Sequence, residues 1–427
     1  MKSSDTKPQP LGIRFSPIVR RGLIAAAVFV AVAEAVFVAK IVHERGLFEY
    51  VALDYRGSRT AGEAILEHGL GAPYQPELLE AAQRKLYDRY VRETGRGALP
   101  FGVVPVPYPP PFSLVFVPST FLDPVPGFLV WTCVHLAVFL LYQVRLGRVF
   151  KVSGPGWLIA AVMLSPPVFI HLVMGQISVW LMVFFGEAMI AFDRGHLFRV
   201  GAWLGLLVVK PQTLVLIIPV LVVNGQWRML FGLATAVAAA IAPTLIVAGS
   251  WVKGYVGGLL KFFGATGMVM NSFPRSMTNW RAFALNASRV LPPIVAWAGA
   301  VFGMTATGVA GFLCGLGLRR GERAVVPLAW LGLVAATNAF TWHAHVHQAL
   351  MLVPPLYWVV GRWPDLKEPV AAVCLSLALV FLVSAFSTNV GFAHDLLGMA
   401  FLAVLVATAL GCAMVIRAVG SSSSEMQ

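Results

Sequence analysis

Apolar residues come in continuous runs along this chain, not in alternation. The runs cover roughly residues 22–42, 112–122, 127–144, 157–172, 177–192, 200–223, 229–249, 293–317, 325–340, 347–361, 369–387 and 396–416. Most approach the ~17–25 residues that a helix needs to cross a bilayer. Hydrocarbon offers no partner to backbone N–H and C=O groups, so such runs must close their bonds internally as helices. A membrane β-barrel would alternate apolar and polar positions, which these runs do not. The pattern predicts an all-α polytopic membrane protein, a single transmembrane domain over 1–427 with roughly 10–12 membrane helices.

The polar interruptions carry the rest of the organisation. Two are long, 43–111 and 250–292, and the first closes on Pro105-Val106-Pro107-Tyr108-Pro109-Pro110-Pro111. Within it, Pro76–Thr94 reads as an amphipathic helix. Leu78, Ala82, Leu86 and Tyr90 share one face, while Glu77, Glu80, Arg84, Lys85, Asp88, Arg89 and Arg92 lie elsewhere. Such a helix suits the membrane interface. The run 112–122 is too short to span and is expected to be re-entrant or interfacial. The serine-rich residues 421–427 read as a disordered tail.

Charge sets the orientation. Only 12% of residues are charged, against about 25% in soluble domains, and the mean hydropathy is +0.78. The net charge of +13 does not imply nucleic acid, because Lys and Arg mostly flank the apolar runs. That is the pattern that orients membrane proteins, with basic connections in the cytoplasm. Arg14, Arg20 and Arg21 precede the first run, which has no clear cleavage site and reads as a retained signal-anchor. Arg145–Lys151, Arg194–Arg199, Arg228, Arg319–Arg323, Arg362–Lys367 and Arg417 can all be cytoplasmic together. The connections 173–176, 341–346 and 388–395 hold no Lys or Arg and then face the exoplasmic side, with both long loops. The run 200–223 starts and ends at cytoplasmic connections, so it should turn back near Lys210-Pro211. Proline removes a helix bond there, and broken backbone is tolerated where it lines a cavity. The alternative is one tilted span that inverts everything after Gln226–Arg228.

This orientation gathers the unusual polar residues at one face. They are Asp54, Tyr108, Gln176, Lys210, the loop with Arg275 and Arg281, and the run Trp342-His343-Ala344-His345-Val346-His347. Asp54 is either a solvated partner for Arg56 or Arg59 or a general base for an acceptor hydroxyl. Lys210 lies ~11 residues from either end of its run, about 16 Å at helical rise. Snorkelling over that distance is the alternative to a ligand phosphate as its partner. His343 and His347 share a helical face, but without a nearby acidic third ligand a metal is not expected, and hydrogen bonding to phosphate or sugar competes with helix capping. Gln176 and Gln212 suit either ligand binding or interhelical bonding. The four cysteines, Cys133, Cys314, Cys374 and Cys412, lie within apolar runs and form no CxxC pair. No Gly-rich nucleotide loop, Walker motif or Ser–His–Asp order is present, which argues against a nucleotide-sugar donor.

Leu53-Asp54-Tyr55, Ala61, Gly69 and Tyr74, then Tyr108-Pro109-Pro110, Ser165-Pro166-Pro167, Gly175-Gln176 and Lys210-Pro211-Gln212, occur in an order that resembles glycosyltransferase family 87. That family comprises polyprenol-phosphate-sugar-dependent transferases of the GT-C fold, among them mycobacterial phosphatidylinositol mannosyltransferases. The likeness covers roughly residues 50–360. It implies a hexosyltransferase in the cell membrane with an exoplasmic active site and no cofactor. The implied partners are the bilayer, a polyprenyl-phosphate donor, most often of mannose, and a glycolipid or glycan acceptor of the cell envelope. Asp54 takes the family's catalytic-base position. Donor-phosphate or substrate contacts fall to His345, Lys210, Arg275, Arg281, Gln176, His343 and Tyr108. Trp342-His343-Ala344-His345 departs from the family's usual aromatic–histidine pattern, and His345 is favoured for its role. A transporter or flippase of a lipid-linked sugar is the alternative, although no internal repeat is present.

Overall fold

The computed structural model describes residues 15–47, 51–95, 103–106, 108–263, 277–320, 325–387 and 390–424. These residues are helical apart from their connections and one isolated β-bridge, Met277 to His345. Helix α1 (Pro17–Arg45) starts at Ser16, whose hydroxyl accepts from the Val19 N–H, with Pro17 in the first turn. The first long polar segment follows as α2 (Leu53–His68) and α3 (Pro76–Thr94). The bundle continues through α4 (Pro124–Val149), α5 (Gly156–Met163), α6 (Pro166–Met174) and α7 (Ser178–Asp193). Then come α8 (Leu197–Gly205), α9 (Ile217–Val223), α10 (Trp227–Ala248), α11 (Trp251–Phe263) and α12 (Trp280–Ala287). The chain closes with α13 (Pro293–Arg320), α14 (Val326–Phe340), α15 (Val353–Arg362), α16 (Lys367–Ser387) and α17 (Val390–Ser424).

Six described segments are long and apolar enough to cross a membrane; they fall on α1, α4, α10, α13, α16 with the turn Pro364–Leu366 before it, and α17. The other apolar runs are broken or short. Run 157–172 divides into α5 and α6, bent by 56° where Ser165-Pro166-Pro167 ends one helix and starts the next. Run 112–122 is a short 3₁₀ segment, Leu114–Phe121, with Pro118 inside. Run 347–361 opens as a 3₁₀ turn, Val346–Leu352, before α15. The last helix continues through Ser424, so residues 421–424 extend a helix where composition predicts a disordered tail.

The amphipathic helix has the bounds the sequence predicts, but its buried face is covered by protein. Leu79, Ala82, Gln83, Leu86 and Tyr90 are buried. Gln83 replaces a missing β partner: its amide donates to the Val104 carbonyl at 2.6 Å, and its oxygen accepts the Val104 N–H at 2.8 Å.

The run 200–223 turns back. α8 and α10 pack side by side in the same direction. Gly201 lies against Met229 and Leu233, and Gly205 against Leu233 and Ala236. Residues 195–199 and Arg228 line one cavity, so the two ends of the run return to one level. This excludes the single tilted span. Other basic connections adjoin that end of the bundle. Arg20 pairs with Glu368 at 2.7 Å, Lys367 reaches the Ser153 carbonyl at 3.2 Å, and Arg145 pairs with Glu187 at 2.8 Å. Asn224 donates to the Gly315 carbonyl at 2.8 Å, and Gly317 packs on Ile416. Asp54, Gln176, Lys210 and the histidine run collect at the opposite end.

Candidate active site

Three elements converge on one carboxamide. The turn Gly175-Gln176 caps α6, and Gly175 takes φ +70°. A Cβ there would meet the Tyr55 Cβ at 2.5 Å, so glycine is required by both conformation and space. Ala52 sits in the left-handed region, φ 58°, and its N–H donates to the Val173 carbonyl at 2.7 Å. That bond docks the start of α2 on the same turn and places Asp54 in the first helical turn.

The Gln176 amide nitrogen donates to Asp54 Oδ2 at 2.5 Å. Its oxygen accepts from Lys210 Nζ at 2.9 Å and from the Tyr108 hydroxyl at 3.3 Å. Lys210 is buried, 5.9 Å from the Tyr108 ring centroid. It sits between two 3₁₀ turns, Leu206–Val209 and Pro211–Leu214, at the tip of the re-entrant run. Among the described residues, Asp54 and Lys210 make no direct ion pair; one side chain separates a carboxylate from an ammonium. Burial pushes the Asp54 carboxyl above the ordinary carboxylate range, against the opposing pull of Gln176, Lys210 and Arg56. An aspartate that holds its proton more strongly is a stronger general base as long as it stays ionised at the working pH, which the Gln176 amide favours.

The histidine run borders this group. Thr278 donates its N–H to the Ala344 carbonyl at 2.8 Å, joining it to the second long loop. His345 caps the turn Val346–Leu352: its ring accepts the Gln348 N–H, while the Gln348 side chain accepts the His345 N–H at 2.9 Å. Helix capping, weighed against ligand binding from the sequence, is thus present. Burial, His343, Lys210, His394 and Arg281 keep His345 well below the usual imidazole range, and burial, Lys210 and Arg281 push His343 down to about 3. These surroundings favour the neutral form of both rings. With one nitrogen of His345 accepting, the proton sits on the other, which is a donor. His347 Nδ1 bonds Ser178 Oγ at 2.7 Å. Among the described residues, no three His, Cys, Asp or Glu side chains are grouped to hold a metal. Arg281 reaches the Trp342 carbonyl at 3.4 Å, and Arg275 lies outside the described residues.

A supporting layer went unread in the sequence. Trp131 donates to the Gly175 carbonyl at 3.1 Å. Trp180 donates to His135 Nε2 at 3.1 Å, and the His135 ring also bonds the Gln176 backbone. His135 interrupts an otherwise apolar run, and Trp131 precedes it by one turn; an intramembrane histidine of this kind was the signal available.

Fold and site define a multi-pass membrane protein with an acid–amide–lysine array, Gln176 and Lys210 buried and Asp54 half-buried, at the end opposite its basic connections. The model of glycosyltransferase family 87 matches residues 107–335, more than half of the chain. The chain belongs to that family and is a membrane glycosyltransferase. Asp54 and His345 lie outside the matched region, yet the fold brings them to Gln176 and Lys210 within it. Neither the curated proteins nor the solved structures hold a match to the chain.

Proposed function

We propose that the chain transfers a hexose, mannose by its family resemblance, from a polyprenyl-phosphate donor to a glycolipid or glycan acceptor, with inversion at the anomeric carbon. Asp54 takes the proton of the acceptor hydroxyl, whose oxygen bonds to sugar C1. The C1–O bond to the phosphate breaks, and its electron pair leaves on the polyprenyl phosphate. Lys210 meets the developing charge, and His345 donates to it from neutral imidazole. Gln176 holds base and cation at opposite ends of one amide, so each can face a different substrate. That arrangement is the observation that carries the reading. A phosphate arriving at Lys210 competes with the Gln176 oxygen for its protons.

The charge bias of the basic connections supports a cytoplasmic position for their end and, with it, an exoplasmic one for Asp54. A transporter of lipid-linked sugar would hold its polar site near the midplane between repeats; here the polar groups gather at one end.

The test is release of polyprenyl phosphate from a labelled polyprenyl-phosphate mannose donor by purified protein in liposomes. Release should require acceptor and be lost in Asp54→Asn. Donor moved across the bilayer without release would support the transporter instead.

A further inference from the structure

A second cavity lies at the basic end of the bundle, far from Asp54. It encloses about 340 Å³ and is lined by Gly195, His196, Leu197, Phe198, Arg199 and Arg228. Arg199 and Arg228 are exposed, and among the described residues neither forms an ion pair. Asp193 is the sole acidic residue between positions 193 and 228, so the local charge is positive.

The wall beside the cavity is built for lipid. Phe198, Trp227 and Phe231 are exposed, and the Phe198 and Phe231 rings lie 5.9 Å apart. α10 is apolar and mostly uncovered by protein. The two helices beside the cavity also pack backbone to backbone. A Cβ on Gly201 would fall 1.8 Å from the Met229 carbonyl oxygen, and one on Gly232 would fall 2.1 Å from that of Phe198. Backbone contact therefore holds the two helix starts that carry Arg199 and Arg228 against each other. Neither of the two helices has a side-chain cap at its start, so backbone N–H groups add to the positive field.

We infer that this cavity binds the phosphate headgroup of an anionic phospholipid, with Arg199 and Arg228 on the phosphate and the acyl chains along Phe198 and Phe231. Guanidinium groups match phosphate geometry with paired donors. Basic pockets between membrane helices at the cytoplasmic level are suited to such headgroups. The site is independent of the transfer reaction and holds whatever sugar is moved.

The test compares wild type with R199Q/R228Q in nanodiscs of phosphatidylcholine with and without phosphatidylglycerol. Tightly held lipid is read by native mass spectrometry, and the thermal transition is followed in parallel. Wild type should retain phosphatidylglycerol about tenfold over phosphatidylcholine and melt higher in its presence. R199Q/R228Q should lose both effects, while R417Q, at the same end but outside the cavity, should keep them. R199K/R228K retains charge and should keep part of the preference, which separates lost binding from lost folding. Equal retention by wild type and R199Q/R228Q would overturn the inference. Equal protection of wild type by inorganic phosphate in phosphatidylcholine alone would overturn the lipid as the source of the phosphate.

Discussion

Gln176→Met tests the acid–amide–lysine array most directly. Methionine keeps the length of glutamine and fills the space between Asp54 and Lys210, so the two cannot collapse into a direct pair. It removes the 2.5 Å bond to Asp54 and the 2.9 Å bond from Lys210 together. Hydrogen bonds to charged groups contribute about 1.5–3 kcal/mol each. Losing the one that steadies the Asp54 carboxylate should lower kcat/KM at neutral pH by about tenfold to a hundredfold, taking 1.4 kcal/mol per tenfold. The pH profile separates this from loose packing. The Gln176 amide favours the charged carboxylate, and burial opposes it. Without the amide, the Asp54 carboxyl rises further, and the acid limb of kcat/KM moves to higher pH. The assay is transfer from labelled donor at saturating acceptor, repeated across pH. A lower rate with an unmoved acid limb would refute the idea that Gln176 sets the basicity of Asp54.

Asp54→Asn should cost about 10²–10⁴-fold in turnover and leave the melting temperature unchanged or higher. Burial raises the folded-state pKa of this carboxyl, so its contribution to stability is present at low pH and lost as pH rises through the folded value; a thermal melt at neutral pH against wild type checks this. Lys210→Met should raise donor KM far more than acceptor KM, measured by varying each substrate in turn; an unchanged donor KM would return Lys210 to helix packing. His343 is held near 3, below the raised Asp54 carboxyl, so His343→Gln should leave the acid limb of the pH profile where wild type has it. Gly175→Ala meets both the strained φ of +70° and the Tyr55 Cβ, and should lower stability by roughly 1–3 kcal/mol, seen as an earlier thermal transition.

The sequence showed most where hydrophobic period and charge agree. The bounds of α3, the return of run 200–223 and the grouping of Asp54, Gln176 and Lys210 at one end all follow from local rules. Apolar length alone overcounted single spans. Ser165-Pro166-Pro167 and Lys210-Pro211 lie within runs that hydropathy treats as continuous, and the backbone breaks at both. The exact partners were illegible, because they depend on contacts between distant segments. Gln176 lies 122 residues from Asp54 and joins it only through the docking of α2 on the α6 turn. Trp131 and His135 sit on α4 among apolar neighbours, so their bonds to Gly175 and Gln176 had no sequence period to reveal them.

The re-entrant form of residues 200–223 bears on how the chain assembles. A lysine at the centre of a spanning helix costs about 2.5–3.5 kcal/mol to insert. A hairpin whose two ends stay at one level escapes that step. Lys210 sits at its tip, buried in protein, with its ammonium donating to the Gln176 oxygen. The partner of the charge is therefore an amide supplied by the fold, and lipid is not asked to solvate it.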